Sequence, residues 1–268
     1  MRAARASGGS DRSSRRHSLL QEPTAWRELA LAWQHAHAPS TSYARLVRSA
    51  DIEISHEERV AVRKDIRRSK PAFFRNYAPA DFDSELHAVR LERVLCAWAQ
   101  YDQEIGYVQA MNLVASTLLL LLDGDEEATF WVLVTLLRQL PPQFYSRAPV
   151  QLLGFWTEVE VLTQLAGRLL GLEGIRSALL QISPQWLLEW WLRTVPLNSI
   201  IPIWDHMLRN ADALVPSLLN LQISLVVLQL LQPQVHQRPS WPTVAFATEA
   251  PGHGFGCTAV PTFAGVLG

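Results

Sequence analysis

Two short polar clusters hold the side chains best suited to chemistry. The first pairs Asp65 with Arg68 inside Val-Arg-Lys-Asp-Ile-Arg-Arg-Ser-Lys-Pro, residues 62–71. Val62, Asp65 and Arg68 share one helical stripe by their spacing, so the Asp65 carboxylate can hold the Arg68 guanidinium at a helix end. A cation held this way suits delivery into another molecule's active site. A solvated basic patch is the plainer alternative, because Arg63, Lys64, Arg67 and Lys70 surround it. The second cluster is Asp-Gln-Glu-Ile-Gly-Tyr-Val-Gln-Ala-Met-Asn, residues 102–112. Gly106 permits backbone conformations that other residues avoid, and Tyr107, Gln109 and Asn112 follow it. A loop fixed at both ends presents the Gln109 amide to a ligand or partner; a Gln and an Asn capping the next helix is the bland reading.

Helices must position both clusters. Ser55 followed by Glu58 is a capping box, so a helix begins there and runs to about Arg68, where Pro71 disfavours its continuation. Leu86, Val89, Arg90, Arg93, Val94, Ala97, Trp98 and Tyr101 form an amphipathic helical pattern. Residues 113–122 are almost wholly apolar and predict a helix buried on most sides. Asp123-Gly124 makes a turn, and Asp125 caps a helix to about Arg138, ended by Pro141-Pro142. Further helices are predicted over about 150–170, from Ser183-Pro184 with Trp186, Trp190 and Trp191, over 198–209, and over 211–231. Pro184 then stands at a helix's first position, and Pro202 lies in a first turn or at a kink. No stretch alternates with period two, so the fold class is all-α.

The pattern Val62-x-x-Asp65-x-x-Arg68-Ser69-x-Pro71, then Gly106-Tyr107-x-Gln109-x-Met111-Asn112, resembles the TBC domain of Rab GTPase-activating proteins. Trp186, Trp190, Pro196 and Ile203-Trp204-Asp205 are similar to that family's later segment. Three motifs in the right order make the signal specific. The likeness covers roughly residues 24–231 and is strongest from Val62 to Leu208. It implies a two-lobed helical TBC-type domain over 24–232, with lobes meeting near residues 140–150. It also implies Arg68 as an arginine finger and Gln109 as a glutamine finger, with Asp65 and Tyr107 as supports. Trp186, Pro196, Trp204 and Asp205 become structural, Trp204 within the second lobe. The opening segment is less similar, since Arg27 and Trp33 depart from the family's Arg-x-x-x-Trp spacing.

Composition bounds the rest. The 24 basic and 25 acidic residues nearly cancel, which indicates no general attraction to nucleic acid. Nearly half the chain is hydrophobic and ten residues are Trp, enough for a sizeable core. Two cysteines, Cys96 and Cys257, offer neither a disulfide framework nor a metal cluster. His35-Ala-His37 has no third ligand nearby and reads as two surface histidines. Residues 1–23 are basic and rich in Ser and Ala, which predicts a disordered arm, and 233–268, rich in Pro and Gly, predict a flexible tail. The segment 211–231 is nearly long enough to span a bilayer, but Pro216, Asn220, Gln222 and Gln229 fit a buried bundle helix better. There is no G-x-x-x-x-G-K-[ST] loop, so the chain itself should not bind nucleotide phosphates.

The resemblance therefore implies a GTPase activator acting in trans on a Rab-type small GTPase. No cofactor is expected in the chain, because GTP and Mg2+ belong to the partner. The expected setting is cytoplasmic vesicle trafficking and intracellular protein transport, at endomembranes, with membrane association at most peripheral and through the partner. A non-catalytic TBC-like module that docks a GTPase or scaffolds trafficking factors is the alternative. One departure bears on the choice: Ala110 stands where the family has Gly. Either its methyl group holds the partner's backbone away, or the position is ordinary helix and Ala is the better residue.

Overall fold

Side-chain caps and apolar stripes set the helix boundaries. The computed structural model describes residues 23–67, 69, 77–79, 81–141, 143–146, 152–211 and 216–236, and among them every regular element is helical. A 3-10 turn at Pro23–Ala25 leads into α1 (Trp26–His37), followed by α2 (Tyr43–Glu53), α3 (His56–Ile66) and α4 (Ser84–Tyr101). Next come α5 (Met111–Leu121), α6 (Glu126–Leu137), α7 (Leu153–Leu170) and α8 (Arg176–Ser183). A π-helical turn (Pro184–Leu188), α9 (Leu197–Arg209) and α10 (Pro216–His236) complete the order. The expected N-terminal arm, Arg68 and the tail beyond residue 236 lie outside the described residues. None of the described helices is long and apolar enough to cross a membrane.

The chain divides into two compact units, with the change at Leu140–Pro141. The first holds α1–α6 together with α9, and the second holds α7, α8, the π turn and α10. In the first unit α5 is buried along its whole length and packs against α4 and α6. Asp125 caps α6 by accepting the Ala128 N–H at 3.0 Å. Asp83 caps α4 by accepting from Glu85 and Leu86 N–H groups, and these two bonds hold its carboxyl below the usual range. An aromatic cluster seals α4 against α6: Tyr101 lies edge-on to Phe130 at 5.8 Å and to Trp131 at 6.0 Å. Leu86 and Val89 are exposed, at 43% and 50%, although periodicity placed them on the buried stripe. The buried face of α4 starts at Leu91, and of the first two turns His87 reaches the buried helix α5, at Ser116 Oγ 2.9 Å away.

The Ile-Trp-Asp segment belongs to the first unit, which corrects its expected place in the second lobe. Trp204 is 1% exposed and packs on Trp26, with ring centroids 6.3 Å apart. The Trp26 indole N–H donates to Asp205 Oδ1 at 3.1 Å, and Arg209 Nε donates to Oδ2 at 2.7 Å. Asp205 thus fastens α9 to the start of α1, across 179 residues of sequence. Local sequence reports that Trp204 is buried, not which helix buries it. Pro202 stands inside α9, past its first turn, and leaves the Asn198 carbonyl without the usual partner.

In the second unit Pro184 stands first in a helical element, as expected, but that element is the short π turn and it continues directly from α8. The Pro184 φ of −57° is already helical, so α8 runs into it and the chain widens into a π turn. Glu189 N–H bonds the Pro184 carbonyl at 3.2 Å and Trp191 N–H the Trp186 carbonyl at 3.0 Å. Trp190 and Trp191 then take left-handed φ values of 52° and 65°, outside any helix. Trp191 stacks on buried Trp186 at 4.7 Å. The last helix, α10, continues to His236, past the compositional boundary at Gln232.

Candidate functional site

Helix α3 presents Glu58, Val62 and Asp65 along one face, at i, i+4 and i+7. Ser55 caps it by accepting the Glu58 N–H at 3.1 Å. The Glu58 side chain, however, is engaged elsewhere: its Oε1 accepts the Tyr107 backbone N–H at 2.6 Å. Val62 between them is wholly buried. Two turns beyond Glu58, Asp65 Oδ2 accepts from the Tyr107 hydroxyl at 2.9 Å. Burial raises the phenol's pKa, and the Asp65 charge and hydrogen bond push it up further. Tyr107 is thus held by α3 at its backbone end and at its phenolic end.

The helix stops at Ile66, with Arg67 as its cap, rather than reaching Arg68. Beyond it Ser69 N–H bonds the Ile66 carbonyl at 3.0 Å, and Ser69 Oγ donates to the Asp65 carbonyl at 2.7 Å. Arg68 lies outside the described residues, so the expected Asp65–Arg68 contact does too. Within the described residues the Asp65 carboxylate serves Tyr107.

The loop between α4 and α5 is braced at each step. Asp102 Oδ1 accepts the Ile105 N–H at 2.9 Å, and its carbonyl accepts the Gly106 N–H at 2.6 Å. Arg138 pairs with Asp102 Oδ2 at 2.9 Å while lying over the Tyr101 ring at 5.4 Å. Gly106 takes a φ of 61°, the conformation expected of it, and its carbonyl accepts from the Trp98 indole at 2.8 Å. Gln109 follows with its side chain exposed.

Ala110 precedes α5 with φ 88° and ψ −28°, so it is neither ordinary helix nor extended chain. That left-handed conformation costs an L-residue roughly 1–2 kcal/mol and costs Gly little. It supplies a backbone reason for Gly at this position that neither sequence-based alternative contained. Asn112 secures the turn: its Oδ1 accepts the Ala110 N–H at 3.1 Å, and its Nδ2 donates to Ser69 Oγ at 2.6 Å. The same Nδ2 reaches the Asp65 carbonyl at 3.3 Å. Ser116 on α5 adds a bond from Oγ to the Ser69 carbonyl at 3.3 Å.

The structure therefore joins Asp65 and Tyr107, and adds Glu58, Ser69 and Asn112 to their network. Sequence reasoning gave Glu58 and Asn112 only capping duties, and Ser69 only a place in the motif. Trp186 and Pro196 lie in the second unit, Trp186 buried and Pro196 exposed, while Trp204 and Asp205 hold α1 to α9 in the first. None of the four joins the network. His35 and His37 are exposed, and among the described residues no group of His, Cys, Asp or Glu could hold a metal ion. The chemistry on offer is a solvent-facing primary amide, able to donate and accept, on a loop fastened at both ends.

Comparison with known proteins matches residues 23–236 to the Rab-GTPase-TBC domain family. The zebrafish (Danio rerio) growth hormone-regulated TBC protein 1-A is 24% identical over 204 residues, covering 72% of this chain and 53% of that protein. Human (Homo sapiens) small G protein signaling modulator 3 is 31% identical over 193 residues, covering 68% of this chain and 24% of that protein. The chain thus spans about half the length of the first relative and about a quarter of the second. The crystal structure of the Chlamydomonas flagellar RabGAP TBC domain shares the fold, with a TM-score of 0.57 and 19% identity. That likeness covers 83% of this chain and 72% of the other.

Proposed function

The chain belongs to the Rab-GTPase-TBC domain family, and from that premise we propose that it accelerates GTP hydrolysis by a Rab-type small GTPase. GTP and its Mg2+ are brought by the GTPase, and the chain adds two side chains to the reaction. Hydrolysis spreads negative charge over the transferring phosphoryl group, which a positioned cation stabilises. The attacking water needs a hydrogen-bonding group to align it. Arg68 supplies the cation and Gln109 the amide.

What supports the reading is the clamp on the Gln109 loop. Exposed Gln109 follows a Tyr held at both ends by α3, and Asn112 ties the same loop to Ser69, the residue after Arg68. An amide held this way loses little freedom on meeting the partner, which is where positioning gains its rate. Arginine fingers contribute ~10³–10⁵ in rate, roughly 4–7 kcal/mol of barrier. A site on cytoplasmic endomembranes, reached through the GTPase, follows from the same reading.

One observation favours the alternative of a module that binds a GTPase without accelerating it. Ala110 holds a left-handed backbone unfavourable to an L-residue next to Gln109, with its own side chain buried in the fold. Single-turnover GTP hydrolysis by a panel of Rab proteins, with and without the chain, separates the two readings. Acceleration of at least one Rab is expected; binding without acceleration selects the module.

A further inference from the structure

We propose that Glu58 is a positioning residue for the Gln109 amide, acting through the peptide plane between Gly106 and Tyr107; this rests on the activator reading above. That plane is gripped from both sides. The Gly106 carbonyl accepts from Trp98 Nε1 on α4 at 2.8 Å, and the Tyr107 N–H donates to Glu58 Oε1 on α3 at 2.6 Å. With its carbonyl and its N–H both engaged, the plane cannot rotate without breaking one bond, and the bond to Glu58 is charge-assisted.

Gly106 makes the grip necessary. It sits at φ 61° and lacks a side chain, so it offers the least intrinsic resistance to a change of backbone direction. Met111 holds the turn locally, taking the Val108 N–H on Sδ at 3.5 Å and donating its own N–H to the Val108 carbonyl at 3.2 Å. The anchors on either side of that turn are the Glu58 bond and the Ala110 N–H, bonded to Asn112 Oδ1 at 3.1 Å. Gln109 lies between these two anchors, and releasing either one widens the arc its amide sweeps.

The choice Glu58 makes is informative. A Glu at the third position after Ser55 ordinarily returns its carboxylate to the cap residue. Here its Oε1 takes the Tyr107 N–H instead, and the residue is only partly exposed, on the helix face that carries Asp65. Asp65 holds the far end of the same Tyr. Two carboxylates two turns apart thus address one residue, one setting its backbone and the other its ring.

The test compares the wild-type chain with Glu58→Ala, Glu58→Gln, Gln109→Ala and the Glu58→Ala/Gln109→Ala double variant. The probe is a GTP-loaded Rab that the wild-type chain accelerates, and amide hydrogen exchange across residues 105–112 is followed on the same samples. In Glu58→Ala, the single-turnover rate at saturating chain should fall on the order of 10–100-fold, with GTPase affinity little changed. Exchange at the Tyr107 amide should rise. Glu58→Gln keeps an acceptor oxygen and should retain most of the rate and protection. In the double variant, Glu58→Ala should slow hydrolysis no further than Gln109→Ala alone, because it acts through that residue. Equal exchange in wild type and Glu58→Ala overturns the inference, as does a full additional loss on the Gln109→Ala background. A wild-type chain that accelerates no Rab overturns the activator reading instead, and the exchange comparison then decides the clamp by itself.

Discussion

Replacing Ala110 with Gly should stabilise this protein, the reverse of what a helix-propensity argument gives. In a helix interior the change would cost up to about 1 kcal/mol. Ala110 instead precedes α5 at φ 88° and ψ −28°. An Ala forced to positive φ destabilises by more than the ~0.4–1 kcal/mol that its lower unfolded-chain entropy gains. Relief of roughly 1–2 kcal/mol of strain, less that entropy, leaves Ala110→Gly ahead by about 1 kcal/mol. For a domain of this size that is a rise of about 2–4 °C in Tm. The bond from the residue-110 N–H to Asn112 Oδ1 survives the change, since residue 110 contributes only its backbone to it. Tm and the single-turnover rate should be measured on the same preparations, and the rate should hold or rise because the backbone strain beside Gln109 is relieved. A lower Tm would refute the left-handed assignment. Two proteins that bind a Rab without accelerating it would favour the binding module.

Three further outcomes follow from particular contacts. Arg68→Ala should abolish acceleration with Tm nearly unchanged, and Arg68→Lys should not rescue it, lacking the planar fork; full activity in Arg68→Ala removes the arginine finger. Trp204→Ala should cost about 3–5 kcal/mol, because the ring is 1% exposed against Trp26, and thermal melting checks it. Burial pushes the Glu158 carboxyl up to about 7 from an ordinary 4.5. A raised folded-state pKa means that stability present below about 4.5 is lost as pH rises through 7. Glu158→Gln should therefore melt higher than wild type at pH 8, by on the order of 2–3 kcal/mol, and about equally at pH 4.5. A variant that melts lower at pH 8 would show that the carboxylate has a partner.

The sequence made legible the features that rest on local spacing. Ser55 and Asp125 cap the helices they were expected to cap, and the apolar run after Met111 is buried throughout. What it hid was set by residues far apart in the chain. Glu58 looked like half of a capping box because its partner, the Tyr107 N–H, lies 49 residues away. Trp204 follows Trp186, Trp190 and Trp191 along the chain, which suits the second lobe, whereas the ring it packs on is Trp26. Positive φ at Trp190 and Trp191 left no trace either, since Trp does not signal a left-handed backbone, and at Ala110 the one sign was the family's Gly at that position.

The decisive measurement is the single-turnover rate of GTP hydrolysis by a Rab panel, with wild-type chain and with the Gln109→Ala and Arg68→Ala variants. Gln109 and Arg68 acting together in trans predict strong acceleration of at least one Rab by the wild type, a large loss in each variant, and preserved binding. Acceleration that survives in both variants would contradict the two-finger mechanism.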